Sequence, residues 1–446
     1  MRVVVTGQGR VGLPLAVRAA EAGHRVVGYD VDERRIARLA AGEPPAGGVP
    51  AARLRPLLEH GGYLPSADPA DLAGFDVAVI TVPVPLRDGV PDLSHLEASA
   101  GLLGRHLRPG ATVVLESPAY PGTTEDLLAP LLELGSGLTA GRDFHLGCSP
   151  ERIDPGNPVW RLENTPKVVS GIDPASLAAV EGFYGGLVER TVPVSSCKEA
   201  ELTKLVEDTF RHVNTALVNE LAMFAHDLGA DVREAIAAAA TKPFGYLPFA
   251  PGPGVGGPCL PIDPSCLPWR TERALGQSFR LVELANDVNG RMPDYVVRRL
   301  GAALDERRRP VQGARVLLLG PAHGRDGGAR RTPAARIAEL LVRMGAEVRT
   351  ADPHPVAAVR VPGPAGAEGR GAGHDPGDDP FEGVRRVAAS PEELAAADAV
   401  VLLTDHEGSD CEGLDCEGFD YGAVTEHSRY VLDCRRLAGG AAVEVL

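Results

Sequence analysis

The run from Lys198 to Leu228 contains no glycine and no proline, in a chain whose 446 residues include 53 glycines and 39 prolines. Apolar residues recur along it at helical spacing, at Leu202, Leu205, Val206, Val213, Leu217 and Leu221, with Thr209 in the same series. At about 1.5 Å rise per residue, this predicts one helix on the order of 45 Å long. A second helical pattern follows at Phe279–Leu304. Long helices between two α/β regions usually pack on each other or across a dimer axis, so a helical middle domain is expected.

The flanking regions have a different rhythm. Before the long run, apolar segments at Val3–Thr6, Arg25–Tyr29, Val77–Val82, Thr112–Glu116 and His145–Cys148 alternate with helical stretches such as Leu13–Ala22. After it, Arg315–Gly320, Pro333–Met344 and Glu347–Thr350 read as a second strand–helix–strand unit, and Ala399–Leu403 as a further buried strand. Such alternation implies parallel sheets covered on both faces. The expected fold is α/β: two Rossmann-like domains joined by a helical dimerisation domain with one long central helix. The expected boundaries are 1–196, 197–306 and 307–446. Val359–Pro380 is rich in glycine and proline and reads as a surface loop.

Bulk properties exclude several function classes. A formal net charge of -15 without an offsetting basic block argues against a nucleic-acid binder. No apolar run approaches the roughly 20 residues a membrane helix needs. The chain enters a strand pattern at Arg2–Val5, which leaves no room for a signal peptide. Seven scattered cysteines do not make a disulfide framework, so a reduced, cytoplasmic protein is expected.

Four constellations carry chemistry. Gly7-Gln8-Gly9-Arg10-Val11-Gly12 lies between the first strand and first helix, where a dinucleotide fingerprint belongs. Gly7 would make the tight turn, Gly9 would let backbone reach a pyrophosphate, and Gly12 would let helix and strand pack closely. Asp30, about 20 residues on, ends the second strand and suits a ribose 2′-hydroxyl, which favours NAD over NADP. The second is a face of the long helix. Lys204, Asp208, Arg211 and Thr215 fall on one side, with Lys204 inside an otherwise apolar seam; the plain alternative is a solvated charged stripe.

The third is Gly252–Asp263, where glycine-rich backbone surrounds Cys259 and a carboxylate, Asp263, follows. Such a loop is a structural turn or an exposed nucleophile, and a nearby cation such as Lys204 would favour the thiolate. The fourth, Ser149-Pro150-Glu151-Arg152, follows the last strand of the first region, at the edge where such sheets bind ligands; Glu151 there is a general-base candidate or part of an ordinary turn. The acidic Cys411-x4-Cys416 repeat reads as a solvated loop, and no metal site is expected.

These residues together resemble the UDP-glucose/GDP-mannose dehydrogenase family, and most closely its branch acting on UDP-N-acetylhexosamines. The likeness runs nearly end to end. It includes Val82-Pro83-Val84-Pro85, Glu116-Ser117 with Pro121-Gly122-Thr123-Thr124, the Ser149–Arg152 segment, and Asp154-Pro155-Gly156-Asn157. It continues through Thr165-Pro166-Lys167-Val168-Val169, Lys204-Leu205-Val206-Glu207, Val213-Asn214, Asn219-Glu220-Leu221, Thr241-Lys242-Pro243-Phe244-Gly245 and the cysteine loop. The resemblance implies a four-electron oxidation of a sugar C6 alcohol to a carboxylate, with two NAD used in succession. Cys259 would hold the aldehyde as a thiohemiacetal and then a thioester. Lys204 would stabilise the oxyanion, Asp263 would order water and Glu151 would assist hydrolysis; Asp208, at the position of a family asparagine, completes the expected catalytic set. The resemblance further implies NAD contacts from Gly7, Gly9, Arg10, Val11, Gly12, Asp30, Arg35, Pro83, Val84 and Thr124. It implies substrate contacts from Glu151, Arg152, Lys204, Arg211, Asn214, Phe249, Gly256 and Arg330. The implied partner is a nucleotide-sugar, UDP-linked in this branch, and the implied assembly is a homodimer.

The departures from the family pattern cluster near the reacting atoms. Pro258 stands in place of the histidine before the cysteine, Asp208 in place of an asparagine, Pro118 in place of a threonine, and Val84 in place of a threonine. A carboxylate cannot donate to an oxyanion as an amide can. Two readings follow. One is an active oxidoreductase with an altered substrate or end point, in which Asp208 meets a different group such as an amine or a repositioned water. The other is a degenerate member that binds NAD or nucleotide-sugar without normal catalysis.

Overall fold

A computed structural model describes residues 1–44, 49–87, 90–153, 157, 159–255, 276–320, 332–352, 384–404 and 419–446. The chain divides into two compact units, the first built on Met1–Phe210 and the second on most of the described residues after it. The division falls within the long helix, which runs unbroken from Cys197 to Asp227 as the glycine- and proline-free run predicts.

The first unit contains a six-stranded, fully parallel sheet. Taken across the sheet, its strands are Tyr63–Ser66, Arg25–Tyr29, Arg2–Thr6, Val77–Ile80, Thr112–Leu115 and His145–Cys148. Numbered along the chain, that order is 3-2-1-4-5-6, the doubly wound arrangement in which ligands bind beyond the carboxyl ends of the strands. Alternate side chains of each strand enter opposite cores. Val3, Val5, Val77 and Val79 join one apolar cluster, whereas Val4, Ala78, Ile80 and Leu115 join another on the other face. A sheet buried on both faces needs continuous apolar strands, and that is how these segments read.

The sequence pattern shows five of these six strands and misses Tyr63–Ser66. Pro65 lies inside that segment, and proline cannot donate to a ladder. The strand sits at the edge of the sheet, where one missing donor is tolerated.

The second unit repeats the topology. Its sheet runs Arg385–Arg386, Glu347–Ala351, Arg315–Leu319, Ala399–Leu402, Val431–Asp433 and Val443–Val445, all parallel and again in the order 3-2-1-4-5-6. The expected helix at Phe279–Leu304 is found at Arg280–Glu306, and the one at Pro333–Met344 at Pro333–Arg343. The loop expected at Val359–Pro380 lies outside the described residues.

Candidate active site

The fingerprint glycines differ in what holds them. Gly7 has a positive φ of 90°, a conformation side chains rarely adopt. A Cβ on Gly12 would fall 1.9 Å from the Gly7 carbonyl oxygen and 2.3 Å from Thr81 Oγ1, so strand and helix close only around glycine there. A Cβ on Gly9 would meet nothing within 4 Å. The space before Gly9 is left open by the protein itself, which fits close approach of a pyrophosphate at the start of the helix Gly12–Glu21.

Asp30 ends the second strand and is almost fully buried. Its Oδ2 accepts from the Gln8 backbone N–H at 2.7 Å and from Arg35 Nη1 at 2.8 Å, and its Oδ1 accepts from the Asp32 N–H at 3.0 Å. A carboxylate has about four acceptor sites. One therefore stays available to a ribose hydroxyl, and the residues present fit NAD. Arg10 and Pro83 are exposed, Val11 is half-buried, and Val84 is buried.

The second part of the site lies at the carboxyl edge of the same sheet. A pocket there is lined by Glu116, Ser117, Pro118, Ala119, Cys148, Pro150, Glu151, Glu201 and Lys204. Strand Thr112–Leu115 delivers the first group and strand His145–Cys148 the second, while the long helix supplies Glu201 and Lys204. Glu151 and Lys204, singled out separately in the sequence, thus face one cavity. Pro118, expected to replace a hydroxyl, lines the same pocket.

Lys204 and Asp208 pair on the helix, with the ammonium 3.2 Å and 3.1 Å from the two carboxylate oxygens. Both are largely buried. Arg152 forms a two-pronged pair with Glu207, Nη2 to Oε1 at 2.6 Å and Nε to Oε2 at 3.2 Å, and donates to the Pro166 carbonyl. It ties the loop after the sixth strand to the long helix. Thr124 is wholly buried, and its N–H and hydroxyl both donate to Glu201 Oε1, at 2.8 Å and 2.6 Å. Gly122 N–H donates to Glu201 Oε2 at 2.5 Å. Burial pushes the Glu201 carboxyl up to about 7 against those three hydrogen bonds.

Glu116 and Glu151 of the pocket lining belong to a buried ionic cluster, of which the sequence singles out only Glu151 as a site residue. Lys167 is 3% exposed and pairs with Glu116, itself fully buried, and its Nζ is 3.5 Å from Glu151 Oε2. The Tyr184 hydroxyl donates to Glu116 Oε2 at 3.0 Å. Glu151 Oε1 accepts from the N–H groups of Arg152 and Ile153 at 2.8 Å and 2.5 Å. Burial pushes the Glu116 carboxyl up to about 7, with Lys167 opposing and Glu151 adding to the rise. For Glu151 burial acts upward too, but the Lys167 charge, a hydrogen bond from the Glu116 side chain and the backbone donors outweigh it and hold the carboxyl below its ordinary value. Burial works against the charge of Lys167, yet the two carboxylates hold it above its usual value. In the sequence Glu116 and Lys167 stand out only as parts of the segments Glu116-Ser117 and Thr165–Val169, without a role of their own.

In the second unit, Arg211 is exposed, while Asn214 and Phe249 are half-buried. Thr215 donates through its hydroxyl to the Arg211 carbonyl at 2.8 Å. Cys259, Asp263, Gly256, Pro258, Arg330 and the Cys411–Cys416 repeat lie outside the described residues. Among the described residues, no cluster of His, Cys, Asp and Glu suits a metal ion, and no helix is long and apolar enough to cross a membrane.

Comparison with known proteins bears on both parts of the site. The model for the UDP-glucose/GDP-mannose dehydrogenase family, NAD binding domain, matches residues 1–188, and that for the central domain of the same family matches residues 198–291. The chain is 34% identical over 412 residues to a UDP-N-acetyl-D-mannosamine dehydrogenase of Pyrococcus horikoshii, covering 91% of this chain and 90% of the relative. It is 38% identical over 322 residues to a UDP-N-acetyl-D-glucosamine 6-dehydrogenase of Pseudomonas aeruginosa, covering 72% and 75%. The solved structure of a UDP-D-ManNAc dehydrogenase from Pyrococcus horikoshii superposes with a TM-score of 0.81 at 31% identity, covering 100% of this chain and 99% of that one.

Proposed function

The chain belongs to the UDP-glucose/GDP-mannose dehydrogenase family and is an NAD-dependent nucleotide-sugar dehydrogenase; from that premise we propose that it oxidises the C6 alcohol of a UDP-N-acetylhexosamine to the carboxylate. The observation that carries this reading is the shared pocket of Glu151 and Lys204, at the carboxyl edge of the sheet that also presents the dinucleotide fingerprint. NAD, when bound, supplies the hydride acceptor for each of the two oxidations. Gly9 and the helix N-terminus behind it would take its pyrophosphate, and Asp30 a ribose hydroxyl.

The reading gives Cys259 the covalent step. Its sulfur adds to the C6 aldehyde as a thiohemiacetal, which is oxidised to a thioester and then hydrolysed. Lys204 bears the positive charge suited to the oxygen that turns anionic on that carbon. Glu151 takes the proton of the attacking water, and Asp263 orders that water. Arg152, Arg211, Asn214, Phe249, Gly256 and Arg330 are assigned to the nucleotide-sugar. In the three-domain division proposed for the chain, residues 1–196 bind NAD, 197–306 form the helical dimerisation domain and 307–446 take the UDP-sugar. A cytoplasmic location, expected from the cysteine usage of the sequence, belongs to the same reading.

The pairing of Lys204 with Asp208 favours a narrower version of this activity. A lysine already matched by a carboxylate offers less charge to an oxyanion, so the altered substrate or end point attaches to the hydrolytic half of the reaction. Incubating the protein with NAD and a panel of UDP- and other nucleotide-hexoses, with NADH absorbance and product mass as readouts, tests both versions. An acid product supports full oxidation, and an aldehyde supports the shortened reaction. Measurable NAD binding without NADH from any sugar leaves the degenerate binding role instead.

A further inference from the structure

Three buried ionisable groups, Glu116 in the pocket lining with Lys167 and Tyr184 packed against it, have no part in the proposed reaction. Glu116 stands at the end of strand Thr112–Leu115, Lys167 opens strand Lys167–Val169, and Tyr184 ends helix Pro174–Tyr184. They meet Glu151 in one cluster: Glu116 pairs with Lys167, Lys167 Nζ lies 3.5 Å from Glu151 Oε2, and Tyr184 donates to Glu116. Two carboxylates sharing one ammonium leave one negative charge unmatched when all three are ionised. An unmatched charge out of water is strongly disfavoured, so such a cluster tends to keep a proton.

The hydrogen bonds say which carboxyl keeps it. Glu151 receives two backbone N–H donors, which favour its ionised form. Those donors are fixed by the chain. Glu116 accepts from Lys167 and from the Tyr184 hydroxyl, and its side chain also meets that of Glu151, so a proton on Glu116 is donated to Glu151 while the backbone donors keep Glu151 ionised.

We infer that Glu116 is a positioning residue that sets the basicity of Glu151 through their shared Lys167. Neutral Glu116 leaves the ammonium to Glu151 and keeps Glu151 a weak base. Ionised Glu116 draws the ammonium to itself and adds its own negative charge nearby, so Glu151 holds a proton more tightly. The inference rests on the role given to Glu151 above, and adds a control on when that role is filled. Burial places the Glu116 transition near 7, within reach of ordinary changes of pH.

The other groups facing the cluster can be separated from it. Tyr184 and Cys148 are both pushed well up by burial and stay neutral through this window. Lys204, from the long helix, is paired with Asp208. Glu201, from the same helix, is a second buried carboxyl raised to about 7, so it needs its own control.

The test combines a resting-state titration with a pH–rate profile. In protein carrying 13C-labelled glutamate carboxyls, one resonance should titrate near 7 and vanish in Glu116→Gln, while Glu201→Gln removes a different one. The Glu151 resonance should shift in step with the Glu116 transition, and should lose that step in Glu116→Gln. In turnover with a UDP-N-acetylhexosamine, kcat for acid formation should rise through the same pH in the wild type. In Glu116→Gln it should stay flat and lie about 3- to 10-fold lower at high pH, with KM unchanged. Glu116→Asp should restore a rising limb at a moved midpoint. Where Lys167→Met fails to fold, the charge-balanced double variant Glu116→Gln/Lys167→Met takes its place and should also lack the limb. A wild-type limb that persists in Glu116→Gln, or a Glu151 resonance indifferent to Glu116, overturns the inference. Absence of NADH with every sugar overturns the enzymatic reading instead, while the titration still decides whether the two carboxyls are coupled.

Discussion

Lys204 and Asp208 lie one turn apart on the long helix, and the ammonium of the first meets both carboxylate oxygens of the second, at 3.2 Å and 3.1 Å. The lysine expected to steady an oxyanion is thus already engaged by its own helix. Replacing the carboxylate by an amide keeps an acceptor for Lys204 but removes the opposing charge, and adds an N–H donor. Asp208→Asn is expected to raise kcat for acid formation from a UDP-N-acetylhexosamine by about 10²-fold, the lower end of the range attributed to one oxyanion donor. The weaker pairing should cost about 1 kcal/mol of stability. Acid formation that is unchanged or slower in Asp208→Asn means that the carboxylate serves the natural substrate directly.

The fingerprint glycines provide a pair of variants with opposite expected phenotypes. Gly9 has an unstrained φ and open space where a Cβ would go, whereas a Cβ on Gly12 would overlap the Gly7 carbonyl. Gly9→Ala should therefore melt within about 1 °C of the wild type, since surface changes away from special features have little effect, and should bind NAD at least tenfold more weakly by calorimetry. Gly12→Ala should lose several kcal/mol, because backbone oxygen has to move before the methyl fits. Unimpaired NAD affinity in a folded Gly9→Ala protein would remove the pyrophosphate from this turn.

Much of this architecture can be read along the chain, because apolar runs and the absence of helix breakers are local signals. The long helix follows from Lys198–Leu228, and the central strands from segments such as Val3–Thr6 and Val77–Ile80. Lys204 with Asp208 is legible too, since residues four apart share a helix face. The buried cluster at the pocket is a different matter. Glu116 follows a strand of the six-stranded sheet and Lys167 opens a strand of a separate two-stranded one, so their pairing exists only once tertiary folding has brought the two together. Each looks alone like a polar residue at a strand end. Glu201 is hidden in the same way: within its helix it is one acid among several, and only tertiary structure turns it toward Gly122 and Thr124.

Glu201 carries a prediction about stability and pH. Its carboxyl is raised in the folded protein to about 7 from an ordinary value near 4.5. Between those values the folded state binds more protons than the unfolded one, so stability falls as pH rises, and it levels off above the higher value. The contribution is on the order of 3 kcal/mol, at about 1.4 kcal/mol for each pH unit separating the two values. Glu201→Gln cannot titrate, and its NH2 group must face one of the donors now satisfied by carboxylate, which costs about 1–3 kcal/mol. Urea unfolding should find the variant clearly less stable than the wild type at pH 5 and nearly equal to it by pH 8. Parallel stability–pH curves would show that Glu201 stays ionised throughout.

The outer face of the long helix bears on assembly. Leu202, Val206, Phe210, Leu217, Leu221 and Phe224, with Leu228 just beyond the helix end, are all exposed, and their spacing places them on one side. Phe224 is 59% exposed and Val206 58%, values at odds with an isolated chain in water. A second copy of the chain would bury such a stripe, and this face is proposed as the dimer interface. Light scattering should give the wild type twice the 46.7 kDa chain mass. The double substitution Leu221→Glu/Phe224→Glu should give the single-chain mass, because charges on both partners would meet in an apolar seam. Helical content by circular dichroism and NAD affinity should be preserved, since both residues are exposed on the helix and neither belongs to the fingerprint. A wild type that runs as a single chain refutes the dimer, and a double variant that remains paired moves the interface to another face.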